Sequence, residues 1–543
     1  MLELVGILIC WAVALFTFSV LGAVVLQALK VGRNANDQLF QYLVQVLCGI
    51  AFFNVLMGTA SLMMPVTANL TIAIVAVCLA GLSVPQIRGR AALSINGISS
   101  LAWYSKLLLL LLSAAVLWVA GLPSLNYDTG LYHDQFIMWM NQYAAVPGLA
   151  NLHERFGFNS HWQLVAASFN GYPYVNSGFN DMGALLTVVF LAASVESFQA
   201  LITNANRTFL HGLMALSLVP LYLLARFFTS DTPDLPNSLI GFTVLAIPFY
   251  HGWKNDQRLL VLAVVGGLMV SIKVSSVLLL GVALPSLIGI NWKKFGLALL
   301  VGLFVLMPWL ARNYTFSGYL VYPAKFTAIG SPDFQAPVES LEYVNALLES
   351  HGKFGRYDVE MVGRPVSEWG HLWLGHQTTI IKLMLVFCFG LLLIFIPFDA
   401  FRAIRSKFEY RETLDTLIHL VFLLSMAIVF KLAPEIRYAY GVLLFYFVYL
   451  MLRVGLHRFR WPMVAIALGG VLMFARIVMV VSHESPAPVL SKTYATMDGS
   501  ALPIYYPTEF DQCWDHQLPC TNRYIEGLEM RTDKLEDGFR IAK

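Results

Sequence analysis

LPSLNYDTGLYHDQFIMWMNQYAAVPGLANLHERFGFNSHW, residues 122–162, is where a greasy chain turns polar. It follows an apolar run, 107–121, that with its flanks is long enough to cross most of a bilayer. Asp128, His133, Asp134, Asn141, Asn151, His153, Glu154, Arg155, Asn159 and His161 all fall inside it. No other part of the chain gathers so many titratable groups. A polar cluster beside a membrane-helix end marks binding or chemistry.

Working outward, the composition sets the class. Of 543 residues 58% are hydrophobic and 12% charged, against roughly 25% charged in soluble domains. The mean hydropathy is +0.68. The expected fold is all-α, a polytopic transmembrane helical bundle. The formal charge of +3 is spread over short loops between apolar segments and indicates no nucleic-acid partner. Residues 1–29 lack a basic n-region and a small-residue cleavage site, so they read as a first membrane helix and not a signal peptide. Cys10, Cys48, Cys78 and Cys388 sit in apolar runs as packing residues. Cys513 and Cys520 lie in the polar tail, too few and too widely spaced for a zinc knuckle. A local disulfide is the expected state, which implies an oxidising compartment.

Apolar runs predict fourteen candidate spans: 4–29, 42–63, 67–84, 107–121, 182–195, 209–228, 239–250, 259–272, 274–290, 295–311, 380–397, 417–429, 438–452 and 463–481. Several are short, which sets the expected count at twelve to fourteen, and 182–195 can lie along the outer surface instead of crossing. With alternation, Lys30, Arg33, Arg88, Arg90, Lys106, Lys293, Lys294, Arg402, Arg405, Lys407, Arg411, Arg453, Arg458 and Arg460 share one side, the cytoplasmic one. The loops 122–181 and 312–379, the 431–437 link and the tail then face outward. Three regions follow: N-terminal helices over 1–106, a core over 107–482, and an extracytoplasmic tail over 483–543.

Asp128 stands near the outer interface, where a carboxylate can act as a general base beside a lipid-carried substrate. It can also simply cap a juxtamembrane helix. His133 and Asp134 are further candidates, with Tyr132 beside them. Asp128, His133 and Asp134 leave a divalent metal open, though their spacing carries no metal signature. His153, Arg155, His161 and Trp162 offer donors and an aromatic face, as a sugar site uses, and interfacial anchoring gives a similar composition. Arg312 and Asn313 lie where a helix emerges outside. Lys431 and Arg437 flank a short outer link, where the topology rule disfavours cations. Arg437 fits a lipid phosphate bidentately, or pairs with Glu435. Lys273, near the end of an apolar run, needs a cavity or a partner. There is no P-loop, dinucleotide fingerprint, HExxH or nucleophile elbow.

YDTGLYH (127–133), Trp139 and VPGLANLHERFGFNSHW (146–162) resemble the first outer loop of bacterial multi-spanning proteins related to the GT-C glycosyltransferases. Asp128 and Tyr132 fit that superfamily's D-x-x-x-Y spacing. SIKVSS (271–276), RNYTFSGYLVYP (312–323) and PEIRY (434–438, ending on Tyr438) resemble its later elements, in order. The resemblance covers about 107–455. It implies transfer of a sugar from a polyprenyl-phosphate donor to a lipid-linked glycan, glycolipid or other envelope acceptor. The setting is the outer face of a bacterial inner membrane, among membrane lipids. It further implies that the first-loop carboxylate is the base and that outer Arg and Lys hold phosphate. Three spans precede the loop where many relatives have one, and Asp128-Thr129 replaces a tandem acidic pair, so the base stays open between Asp128 and Asp134. The alternatives are a polysaccharide polymerase or ligase using a polyprenyl-diphosphate donor, and a lipid or glycan transporter, which would be expected to carry repeated halves.

Overall fold

The computed structural model describes residues 2–34, 36–174, 181–203, 208–356, 359–455, 460–481, 493–497 and 502–542. Arg458 and the boundary drawn at 482–483 lie outside them. The regular structure is almost entirely helical. The first half runs α1 (Leu2–Ala28), α2 (Gln38–Ala60), α3 (Ala68–Gly81), α4 (Pro85–Ala91), α5 (Leu93–Ser100), α6 (Trp103–Ala120), α7 (Asp134–Gln142), α8 (Leu149–Leu152), α9 (Trp162–Phe169), α10 (Met182–Thr203) and α11 (Phe209–Leu216). The second half runs α12 (Asp234–Ala246), α13 (Asn255–Ile272), α14 (Trp292–Ser317), α15 (Val338–Phe354), α16 (Val366–His376), α17 (Thr379–Arg405), α18 (Tyr410–Leu432), α19 (Tyr440–Arg453) and α20 (Arg460–Val481).

Nine of the described helices are long and apolar enough to cross a membrane, or up to eleven if each bent pair counts as one span. All fourteen apolar runs coincide with helical segments. The remaining five differ for physical reasons. The helix over 68–100 is bent by 112° just before Pro85, and the one over 209–229 by 51° before Pro220; proline removes a backbone donor and breaks the helix at that point. The other three are shorter apolar helices. The stretch left open between crossing and lying flat, 182–195, belongs to α10, a 22-residue helix long enough to cross. Leu110, Leu300, Met307, Val386 and Leu393, on α6, α14 and α17, are exposed to the outside of the bundle. That much outward apolar surface marks contact with lipid or another protein.

Helices α1 and α2 pack backbone to backbone. A Cβ on Gly22 would lie 1.8 Å from the Gln45 carbonyl oxygen, and one on Gly49 would lie 1.9 Å from that of Phe18, so only glycine permits this approach. The free N–H groups opening α2 are capped from α10: the Glu196 carboxylate accepts from Leu39 at 2.9 Å and Phe40 at 3.2 Å.

The basic stretches meet at one end of the bundle. Arg33 donates to the Gly89 carbonyl at 2.7 Å, Trp253 to that of Gly32 at 3.1 Å, and Arg402 pairs with Glu412 at 3.3 Å. At the other end the first loop and the tail fold together. In the tail β1 (Tyr494–Met497) pairs antiparallel with β2 (Ile504–Pro507), and β3 (Leu528–Met530) with β4 (Phe539–Ile541). Phe136, Trp139, Leu149 and Phe156 of the loop share one hydrophobic core with Met497, Ile504, Leu528 and Phe539 of the tail. Cys513 and Cys520 are joined by a disulfide.

Candidate active site

Chain leaving α6 reaches Asp128 through a short linker, and the Asn126 side chain accepts the Asp128 N–H at 3.1 Å. A π-helical turn, Thr129–His133, follows before α7 begins. Such turns are rare and recur at functional sites. Three other segments converge on it. Asp234 opens α12, Lys273 closes α13, and Arg437 and Tyr438 lie in the 3₁₀ turn Ile436–Ala439 that leads into α19.

Two carboxylates and two cations interlock here. Arg437 Nη1 meets Asp128 Oδ2 at 3.2 Å, and its Nε lies 3.6 Å from Asp234 Oδ2. Lys273 Nζ pairs with the other Asp234 oxygen. The Lys273 ammonium also sits 3.7 Å from the Tyr438 ring centroid, a close cation–π contact. Asp128, Arg437 and Lys273 keep roughly a fifth of their side chains open to solvent, whereas Asp234 is buried. The cluster is therefore a cleft floor, charge-balanced and reachable.

Burial pushes the Asp128 carboxyl up, but Arg437, then His133 and Arg155, outweigh it and hold it below the usual range. His133 is fully buried, and burial pulls it down to about 4 against the upward pull of Asp128 and Asp234. It is a neutral imidazole at pH 7. Burial, then Asp128, raises the Tyr132 phenol well above its usual value, so it stays protonated. Its ring meets that of His133 edge-on at 4.3 Å. Both His133 nitrogens and Arg437 Nε are buried without a hydrogen-bond partner. A 3.6 Å contact is too long to count as one. Buried donors left unmade are costly, and here several of them line one charged cleft.

The other predicted residues divide. Arg155 acts electrostatically on Asp128, Tyr132 and Tyr438, so it belongs to the same neighbourhood. The His153 ring stands 6.2 Å from that of Tyr132. Asp134 faces a different place, near the buried carboxylates Asp231 and Asp181. Arg312 and Asn313 form a second buried group. Arg312 donates to Asn159 at 3.1 Å and Ser61 at 2.5 Å, while Asn313 accepts from Asn159 at 2.9 Å. Arg312 and Arg437 share no partner, so these two outer arginines stand in separate clusters. His161 packs beside Gly58 and is pulled down by its own burial and by Arg312. Trp162 is in the apolar core with Phe18 and Phe169, because the short α9 is buried along its whole length.

Among the described residues no three His, Cys, Asp or Glu stand close enough to hold a metal ion, and Asp128, His133 and Asp134 are not such a set. Sequence reasoning missed Asp234, the residue that ties Lys273 to Arg437. A signal existed: span alternation puts 229–238 outside, and SDTPD sets two acids in that short loop. It also missed His351 of α15, 3.8 Å from Glu435 and pulled down by burial and Arg437.

No curated protein and no solved structure matches this chain. A family profile does match, over residues 4–444, which include every residue of the cleft. The chain therefore belongs to the family described as Domain of unknown function (DUF8201).

Proposed function

We propose that the chain is a GT-C-like membrane glycosyltransferase, moving a sugar from a polyprenyl-phosphate donor to a lipid-linked or other envelope acceptor. It works on the outer face of the bacterial cytoplasmic membrane. The observation that carries this reading is the Asp128–Arg437 pair at 3.2 Å, with Lys273 and Tyr438 alongside. Three of the segments that resemble GT-C elements, far apart in sequence, meet there. The basic loops that hold Arg33 and Arg402, away from this cluster, support the orientation.

In this reading the donor phosphate takes the Arg437 guanidinium and the Lys273 ammonium. Asp234 holds Lys273 in place. As Arg437 turns to the phosphate, Asp128 loses the partner that keeps it a weak base. The acceptor oxygen bonds to the anomeric carbon and its proton passes to Asp128. The bond from that carbon to the phosphate oxygen breaks, and the polyprenyl phosphate leaves with its charge met by the two cations.

A second reading, a lipid or glycan transporter, is favoured by one observation. Asp181 and Asp231 are fully buried with no cation beside them among the causes of their shifts, and burial raises Asp181 to about 7 and Asp231 well above its usual value. Such carboxylates can carry protons. Turnover of a polyprenyl-phosphate sugar by reconstituted protein separates the two. Asp128→Asn should lose about 10²–10⁴ in rate and keep its fold. Full turnover in Asp128→Asn with loss in Asp134→Asn would move the base by six residues, and full turnover in both would favour the transporter.

A further inference from the structure

The turn that carries Asp128 is held from outside by the far end of the chain. The Trp514 backbone N–H donates to the Gly130 carbonyl at 2.9 Å. The Gln512 side chain donates to the Tyr127 carbonyl at 2.9 Å. Gln135 reaches back, donating to the carbonyls of Trp514 at 2.9 Å and His516 at 2.6 Å. The Tyr127 hydroxyl donates to the Asp511 carboxylate. The indole lies so close that a Cβ on Gly130 would sit 2.2 Å from it. These contacts fall at 127, 130 and 135 and so bracket Asp128 and His133. The loop making them is closed by the Cys513–Cys520 disulfide. It is anchored a second time where the Thr521 hydroxyl donates to the Leu152 carbonyl.

A π turn is less favourable than continued α-helix and persists where its surroundings determine it. Here the surroundings are Ser124 and Ser230, both within hydrogen-bond distance of the Thr129 hydroxyl at 2.8 Å, on one side and this loop on the other, and the loop's residues 511–520 lie beyond the family match at 4–444. We propose that Trp514, on the disulfide-closed loop, is a positioning residue for Asp128 and His133. The tail is then a working part of the cleft as well as its cover. The proposal rests on the reading of Asp128 as the base, and its first test does not.

That test is hydrogen exchange of the full chain in nanodiscs, without substrate. The samples are wild type with and without reductant, Trp514→Ala, Trp514→Phe and Gly130→Ala. Amides of 127–135 should exchange about tenfold faster on reduction, in Trp514→Ala and in Gly130→Ala: once the indole no longer packs on Gly130, the loop's backbone and Gln512 hydrogen bonds to the turn are loosened, and one or two net hydrogen bonds correspond to about that change. Trp514→Phe should stay near wild type, and amides of α17–α19 should not change in any sample. Gly130→Ala displaces the ring from the other side, so the test survives if Trp514→Ala fails to fold. In the turnover assay kcat should fall about tenfold with the donor KM unchanged, because Arg437 and Lys273 still hold the phosphate, and Trp514→Phe should restore it. Unchanged exchange over 127–135 overturns the proposal, as does faster exchange with wild-type kcat. Full turnover in Asp128→Asn would sink the reading of the base instead, leaving the exchange signature standing.

Discussion

The span Ile436–Arg453 has an arginine at each end, and each arginine lies between two aspartates. At the basic end Arg453 meets Asp415 at 2.6 Å and Asp399 at 2.8 Å. His419 bridges Asp399 at 3.0 Å and the Tyr446 hydroxyl at 2.7 Å, and the Tyr449 hydroxyl donates to Asp415 at 2.9 Å. Among the described residues, no buried side-chain nitrogen or oxygen of that network lacks a partner. At the loop end Arg437 is more open, its Nε faces Asp234 without a hydrogen bond, and the buried His133 makes no hydrogen bond. The chemistry of the two clusters is nearly the same. What separates a clamp between helices from a site is the unsatisfied remainder.

The largest expected effect breaks the clamp. Arg453→Met removes the cation shared by two buried aspartates, leaving Asp399 to His419 and Asp415 to Tyr449 and Arg411, and should destabilise the protein by up to about 3–5 kcal/mol, read as lost yield or a lower melting temperature in detergent. Arg437→Gln should leave melting nearly unchanged; comparable losses at both ends would erase the distinction. Next comes pH. The folded-state value of His133 is depressed to about 4 from 6.5, so only the unfolded chain takes up this proton as pH falls from 6.5 towards 4. Stability should fall through that window and level off below it. The His133 share is about 3 kcal/mol, seen as the part of the slope that His133→Gln removes. Parallel slopes in both proteins would put His133 in a wetter place than the cleft floor. Smaller again is Arg437→Lys, which keeps the charge and loses the planar fork. Donor affinity should weaken about tenfold, and unchanged affinity would return Arg437 to a structural ion pair. The smallest effect is that of Asp134→Asn, which faces Asp231 and should leave turnover within about threefold of wild type, against the large loss in Asp128→Asn.

Much of this arrangement was legible in the chain. Asp128, Lys273 and Arg437 are each anomalous where they stand, a polar residue at a helix end or a cation in an outer link, and all three meet in the cleft. Asp234 was not legible as a partner because an acid opening a helix already has a local explanation. The clamp was hidden because Asp399, Asp415, His419 and Arg453 lie on three helices beside basic loops that the topology rule already explains, and only tertiary packing joins them. Arg312 and Arg437 looked alike by position, yet α14 ends against residues 136–149 while α19 begins against Asp128. Helix positions were readable from hydropathy; the bends at Pro85 and Pro220 shortened two of them. The tail strands are three or four residues long, too short for a period of two to stand out.

The central claim is that Arg437 faces a ligand phosphate and Arg453 does not. It is tested most directly by thermal shift of purified protein with polyprenyl phosphate, inorganic phosphate and no addition. Wild type should be stabilised by the lipid phosphate, with a shift that grows with concentration as binding to the folded state requires. Arg437→Gln should melt near wild type without ligand and show no shift. An equal shift in wild type and Arg437→Gln would contradict the account.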